Sequence, residues 1–120
     1  MAEGFANHYG SDVLRASSAG LAPTQMVAGE TVAAMSEMNV DISRHVPTRY
    51  DPFAAADYDL VVNLAGFRLP GPAPKEVFDW EVTDPYGSSP EVYRAARSDL
   101  EQRVMRLILD LRRQAKNPGD

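Results

Sequence analysis

The run Tyr58-Asp59-Leu60-Val61-Val62-Asn63-Leu64-Ala65-Gly66 decides the fold class of this chain. Leu60, Val61, Val62 and Leu64 form a near-continuous apolar stretch, too short for a helix and β-branched at its centre. Such a run predicts a strand over 58–64 buried on both faces of a parallel sheet. Further along, Pro70, Gly71, Pro72 and Pro74 exclude helix and central strand. Residues 77–82 then read as a last strand, closed by the turn Thr83-Asp84-Pro85-Tyr86-Gly87. From Pro90 to about Lys116, Val92, Ala96, Leu100, Val104, Leu107, Ile108 and Leu111 trace one apolar stripe, the pattern of a long amphipathic helix. Ser89 is its expected cap and Pro90 its first helical residue.

Upstream of the central run, Ala2, Phe5, Ala6 and Tyr9 recur at intervals of three and four and predict a short helix over 1–9. No Ser, Thr, Asp or Asn precedes it to accept its first amide hydrogens. Residues 13–18 are short enough for a strand, and a helix runs from a Thr24 cap to about Asn39, burying Val27, Val32, Met35 and Met38. A connection punctuated by Pro47 and Pro52 follows, with a short helical turn over 53–56. The alternation gives an α/β fold: a three-layer sandwich with a small parallel sheet flanked by helices, one domain over 1–116 with 117–120 as a frayed tail.

Composition narrows the chemistry. The 120 residues carry 12 Lys plus Arg against 17 Asp plus Glu, a formal net charge of −5. That balance argues against a nucleic-acid partner, because such binding rests on neutralising phosphates. No apolar run approaches the roughly 18 residues that a membrane-spanning helix needs, and Met1-Ala2-Glu3-Gly4 is unlike a signal peptide, so no membrane association and a cytoplasmic location are expected. The cysteine count is 0, and His8 and His45 are the 2 histidines. Thiol nucleophiles, iron–sulfur clusters and Cys-ligated zinc are excluded for these residues, and no metal or other cofactor is expected. Chemistry done by this chain alone must use carboxylates, hydroxyls or arginines.

Read in order, Met1-Ala2-Glu3-Gly4, Ser18-Ala19-Gly20, Val40-Asp41-Ile42-Ser43 with His45 and Arg49, Asp59-Leu60-Val61-Val62, Trp80-Glu81-Val82-Thr83-Asp84-Pro85, then Tyr93 and Arg97 form a recognisable series. It resembles the low-molecular-weight protein tyrosine phosphatase family, which includes the thioredoxin-coupled arsenate reductases, over nearly the whole chain. The resemblance implies a sheet of strand order 2-1-3-4 and a phosphate-binding loop of pattern C-x-x-N-x-x-R-S running into a helix that opens like Met1-Ala2-Glu3-Gly4. This sequence starts at that methionine, so the first strand, the nucleophilic cysteine and the anion-gripping arginine are expected to be missing. An absent central strand would leave unpaired backbone, implying either a repaired three-stranded sheet or a homo-oligomer that covers the gap.

The resemblance also assigns residues. Asp84 falls where the family's Asp-Pro turn carries the general acid that protonates the leaving group, a role that needs a restored loop; on local sequence, Asp84-Pro85-Tyr86-Gly87 also fits a type I turn. Tyr86 falls where an aromatic wall for a phenyl ring would stand, or is an exposed turn residue. Ser18 and His45 resemble positions that support the phosphate loop, with a strand-ending serine and a surface histidine as the alternatives. Ala65 stands where the first relay cysteine of the arsenate reductases would fall, so a thiol relay is excluded in this chain. The implied function is that of a phosphatase-like protein acting on a phosphate monoester or phosphotyrosine protein when the loop is present, inactive as the chain stands. A non-catalytic binding or oligomerisation module is the alternative, with arsenate reduction behind both.

Overall fold

A computed structural model describes residues 1–21, 28–71, 74–85 and 87–116. The elements are α1 (Ala2–Gly10), α2 (Gly29–Ser36), α3 (Pro52–Ala55), β1 (Val61–Asn63), β2 (Val77–Asp79) and α4 (Pro90–Lys116). The fold is α/β, with β1 and β2 in a two-stranded parallel sheet whose register pairs Val61 with Val77, Val62 with Phe78 and Asn63 with Asp79. The expected Thr24 cap and the 117–120 tail lie outside the described residues.

The core sits between helices. Phe5 and Ala6 of α1, Met35 of α2, Val40, and Val104 and Ile108 of α4 form its buried cluster. The stripe that α4 buries is Tyr93, Ala96, Leu100, Val104 and Ile108, so Tyr93 and not Val92 opens it. Arg112 ties the far end of α4 back to α1: its Nη2 donates to the Tyr9 carbonyl at 2.8 Å, an orphan acceptor of the last helical turn, and its guanidinium pairs with both Asp12 carboxylate oxygens. The Asp12 carboxyl is held below the ordinary carboxylate range by that hydrogen bond.

Three expected strands differ. Residues 14–19 form no ladder; the Asn7 side chain meets this segment instead, accepting from Ala16 N–H at 2.9 Å and donating to the Ala16 carbonyl at 3.0 Å. A side-chain amide thus satisfies groups that a neighbouring strand would have paired, and among the described residues the sheet has two strands and not the three of the expected repair. The strand expected over 58–64 shortens to three residues and is not buried on both faces: Val61 and Val62 are half-buried and only Asn63 is buried. Asn63 explains the shortening. Its side chain donates to the Phe67 carbonyl at 2.8 Å and to Asp79 Oδ1 at 2.9 Å and accepts from Ala65 N–H at 2.9 Å, turning the chain away from the sheet. Likewise β2 ends at Asp79 and not Val82: Trp80 N–H makes one last bond to the Asn63 carbonyl at 3.0 Å, and its side chain packs on the helical core.

The helix after residue 28 is α2 alone, shorter than expected because Asn39 takes a φ of 59°. Asparagine tolerates that left-handed conformation, and Val40 N–H closes the helix end by donating to the Met35 carbonyl at 3.1 Å.

Candidate functional site

Three features assemble the site. Asn39 sends the chain back along α1, and Gly4 lets it come close: a Cβ at Gly4 would stand 2.9 Å from Ile42 Cγ2, 3.2 Å from Met35 Cε and 3.3 Å from Val40 Cγ1. A side chain at position 4 would push residues 40–42 off the helix. Beyond Ile42, Ser43 N–H donates to Asp41 Oδ1 at 2.9 Å and His45 N–H to the Ile42 carbonyl at 3.1 Å, a tight turn that fixes the histidine backbone. The Asp41 carboxyl lies below its usual range because the Ser43 hydroxyl and amide both bond to it. Finally, Gly20 forms a parallel bridge with Arg49, donating to the Thr48 carbonyl and accepting from Tyr50 N–H at 2.8 Å each.

The bridge brings Ser18 to His45, and the Gly4 contact brings His45 to Glu3. Ser18 Oγ lies 3.3 Å from His45 Nε2, and His45 Nδ1 lies 2.9 Å from Glu3 Oε2. The histidine and glutamate side chains keep 27% and 22% of their surface, while Ser18 is exposed. In neutral His45, Nδ1–H donating to Glu3 leaves the Nε2 lone pair to accept from the Ser18 hydroxyl. Glu3 sits in the first turn of α1, where the positive end of the helix dipole favours a carboxylate. The structure thus joins the two residues singled out as loop supports, Ser18 and His45, and adds Glu3. Sequence reasoning had no local signal for Glu3, which is 42 positions from His45; only the adjacent Gly4 hints that another segment comes close.

The remaining candidates are separate. Asp84 is exposed on the extended segment between β2 and α4. Tyr86 lies outside the described residues. At the C-terminal end of α2, Glu37 binds Arg94 through both its oxygens (3.1 and 2.9 Å) and Arg97 at 2.6 Å, which hold its carboxyl at about 2. Arg97 Nη1 also donates to the Ala34 carbonyl at 2.8 Å, so both arginines tie α4 to α2. Among the described residues no group of three or more His, Asp and Glu could hold a metal, and no helix is long and apolar enough to cross a membrane.

Fold and site define a small parallel α/β domain with a hydroxyl–imidazole–carboxylate relay at the start of its first helix. Residues 1–69, which hold that relay, match the sequence profile of the family described as "Low molecular weight phosphotyrosine protein phosphatase". The chain belongs to that family. The "Glutaredoxin arsenate reductase" of Synechocystis sp. is 38% identical over 112 residues, 90% of this chain and 85% of the relative. Of solved structures, "An arsenate reductase in oxidized state" superposes with a TM-score of 0.82 at 35% identity, covering 92% of this chain and 86% of that one. "An arsenate reductase in the phosphate binding state" gives a TM-score of 0.80 at 34% identity, with the same coverage. These relatives correct the order in which the sequence reading ranked the functions: arsenate reductase comes ahead of phosphatase.

Proposed function

We propose that this chain is an arsenate-reductase-type domain that handles a tetrahedral oxyanion, arsenate or phosphate, and that its own residues supply the scaffold and a proton donor but not the thiol. The observation that carries this reading is the 38% identity to an arsenate reductase across 90% of the chain, in a sequence with 0 cysteines. A thiolate is the nucleophile and the electron source in thiol-dependent reduction, and no other side chain gives up electrons in its place. Asp84 takes the role of general acid, donating its proton to the departing oxygen. Ser18 and His45 brace the anion loop through the relay to Glu3, and Tyr86 borders the substrate. The setting is cytoplasmic, with no membrane or nucleic-acid partner.

The specific observation favouring a second reading is again the missing thiol: a non-catalytic member of the family that serves as a binding or oligomerisation module, a second copy covering the edge of β1 that pairs with no other strand among the described residues. The two readings part in one assay. Protein purified from its native source, with its intact mass measured, is given arsenate, glutathione and glutaredoxin, and arsenite is counted. Arsenite formation by a product that carries a cysteine, diminished in Asp84→Asn, supports the first reading; no arsenite and no anion binding overturns it in favour of the module. The 120-residue chain alone is expected to yield neither arsenite nor hydrolysis of an aryl phosphate, and arsenite from it would refute the thiol requirement.

A further inference from the structure

We propose that the outward face of α4 is a homodimer interface, on which a second copy of this chain lays its own α4 antiparallel. α4 has 27 residues, roughly 40 Å at 1.5 Å per residue, against a longest molecular dimension of 45 Å, so one face of it runs nearly the whole length of the molecule. At 3.6 residues per turn Leu109 lies about 180° round the helix from the buried Leu100, and it keeps 53% of its surface. Segments already in place bound this face on both sides. Glu101 accepts from the Tyr9 hydroxyl and Arg112 donates to the Tyr9 carbonyl on the α1 side, and Arg103 donates to the Glu81 carbonyl on the other. Between these borders Met105 and Leu109, one turn apart, form an apolar step in a shallow concavity rimmed by Gln102, Arg106 and Arg113.

The charges select the partner. Along the flank beside the apolar step, Asp99, Arg106, Asp110 and Arg113 follow one another as negative, positive, negative, positive. All four lie within an arc of about 60° round the helix, so they form one strip. Reversing the strip changes the sign at every position. It is therefore complementary to itself when two copies run antiparallel, and sets like charges together when they run parallel in register. A two-fold axis crossing the pair at the level of Leu107 brings Met105 against Leu109 of the second copy, Arg106 beside its Asp110 and Asp99 beside its Arg113, each contact occurring twice by symmetry. The axial offset left between the charged partners is roughly 3 Å, which an arginine side chain spans. Within one copy Asp99 accepts from Arg103 at 3.0 Å and Asp110 stands 3.9 Å from Arg113, contacts the dimer can keep because a carboxylate accepts on two oxygens. The strip itself is neutral, and α4 carries 7 Lys or Arg against 4 acids in a chain whose net charge is −5, so two copies meet here with less mutual repulsion than on the acidic remainder.

Two apolar side chains per copy within a charged rim put the interface in the weak, transient class, with a Kd between about 1 μM and 1 mM. Sedimentation equilibrium of the full chain from about 10 μM to about 1 mM is expected to show a monomer–dimer equilibrium that Leu109→Lys abolishes. Arg106→Glu and Asp110→Arg each set like charges together twice and are expected to weaken the dimer by at least about tenfold, with the double variant restoring it. Arg106, Leu109 and Asp110 are exposed, so circular dichroism of these variants is expected to match wild type. Cysteines, of which the chain has 0, read the register. With diamide as oxidant, which takes up the two thiol hydrogens as the disulfide forms, a mixture of Met105→Cys and Leu109→Cys proteins is expected to cross-link between unlike chains faster than between like ones. The inference is overturned by a chain that stays monomeric at about 1 mM, by a dimer indifferent to Leu109→Lys, or by like chains cross-linking as fast as unlike ones; where Leu109→Lys does not fold, the charge-swap pair decides. A second copy seated on the edge of β1 predicts that indifference to Leu109→Lys, and no readout involves arsenate, so the inference fails or stands apart from both readings of the function.

Discussion

Gly10→Ala sets two opposed effects against each other. Gly10 closes α1 and is buried. Alanine in place of a helical glycine, with nothing else altered, stabilises by roughly 0.5–1 kcal/mol through the unfolded chain's lost freedom. Here the added Cβ would lie 2.7 Å from Ile108 Cγ1 and 2.8 Å from Ile108 Cδ1. Ile108 is 0% exposed and walled by the rest of the core, so it has no solvent to swing into. Overpacking of this kind costs about 1–3 kcal/mol; set against the propensity gain, it leaves Gly10→Ala destabilised by about 1 kcal/mol, within a range of about 0–2.5 kcal/mol. The cause is checked by taking the obstacle away. Ile108→Ala deletes both clashing carbons and alone costs about 2–5 kcal/mol for lost burial and the cavity left behind. In that background the alanine at position 10 fills vacated space, and its effect changes sign to stabilising. Urea unfolding of the four proteins, followed by circular dichroism, closes the double-mutant cycle. Gly10→Ala raising the wild-type midpoint, or lowering it equally in both backgrounds, refutes the packing argument.

Three further outcomes are expected. Asn7→Ala removes both hydrogen bonds that stand in for a strand at Ala16 and should cost about 1–2 kcal/mol, with faster hydrogen exchange at the Ala16 amide; unchanged exchange there would mean that the segment is held by something else. Asn63→Leu leaves the Phe67 carbonyl and the Ala65 amide unpaired beside a buried position, a loss of about 1–3 kcal/mol by thermal unfolding; a neutral effect would deny Asn63 its part in ending β1. Glu37 is depressed from 4.5 to about 2 by Arg94 and then Arg97. A folded value below the unfolded one means that its contribution is complete above pH 4.5 and is lost as pH falls toward 2. Glu37→Gln should therefore flatten the fall in melting temperature across that window, and an acid limb as steep as the wild type's would exclude the arginine pair as its source.

Legibility from sequence followed the range of the interaction. α4 was readable because its stripe, from Val92 to Leu111 in the sequence, repeats over about five turns, and the error at its start, Val92 for Tyr93, reflects a helix phase that only the docking against α2 sets. The two strands were readable as strands but not in length, because Asn63 and Trp80 end them through contacts to Phe67, Asp79 and the helical core that no periodicity encodes. Residues 13–18 have a strand's composition and lack a partner strand among the described residues, and a strand is a property of the pair. At the site, Ser18 and His45 came from the order of motifs along the chain, whereas Glu3 needed the close approach at Gly4. The Met1-Ala2-Glu3-Gly4 opening is recognisable in the series of motifs, but nothing in it reveals what its glutamate touches.

The placement of the core bears on which perturbations reach the relay. Val77 and Phe78 of β2 keep 36% and 39% of their surface, while Phe5, Met35 and Ile108 are fully buried, so stability rests on helix packing more than on the sheet. α1 has 9 residues, too few to persist as an isolated helix. Its presence, and with it the position of Glu3, depends on Phe5 and Ala6 staying packed against α4 and on Arg112 closing its last turn. The other edge of the same helix, at Gly4, carries the 40–42 segment and so the backbone that fixes His45. One short helix is therefore both a wall of the core and a support of the site. Damage at Ile108 or Arg112 must loosen the Glu3–His45 contact although neither residue touches it, whereas changes on the exposed face of β2 leave the relay geometry intact.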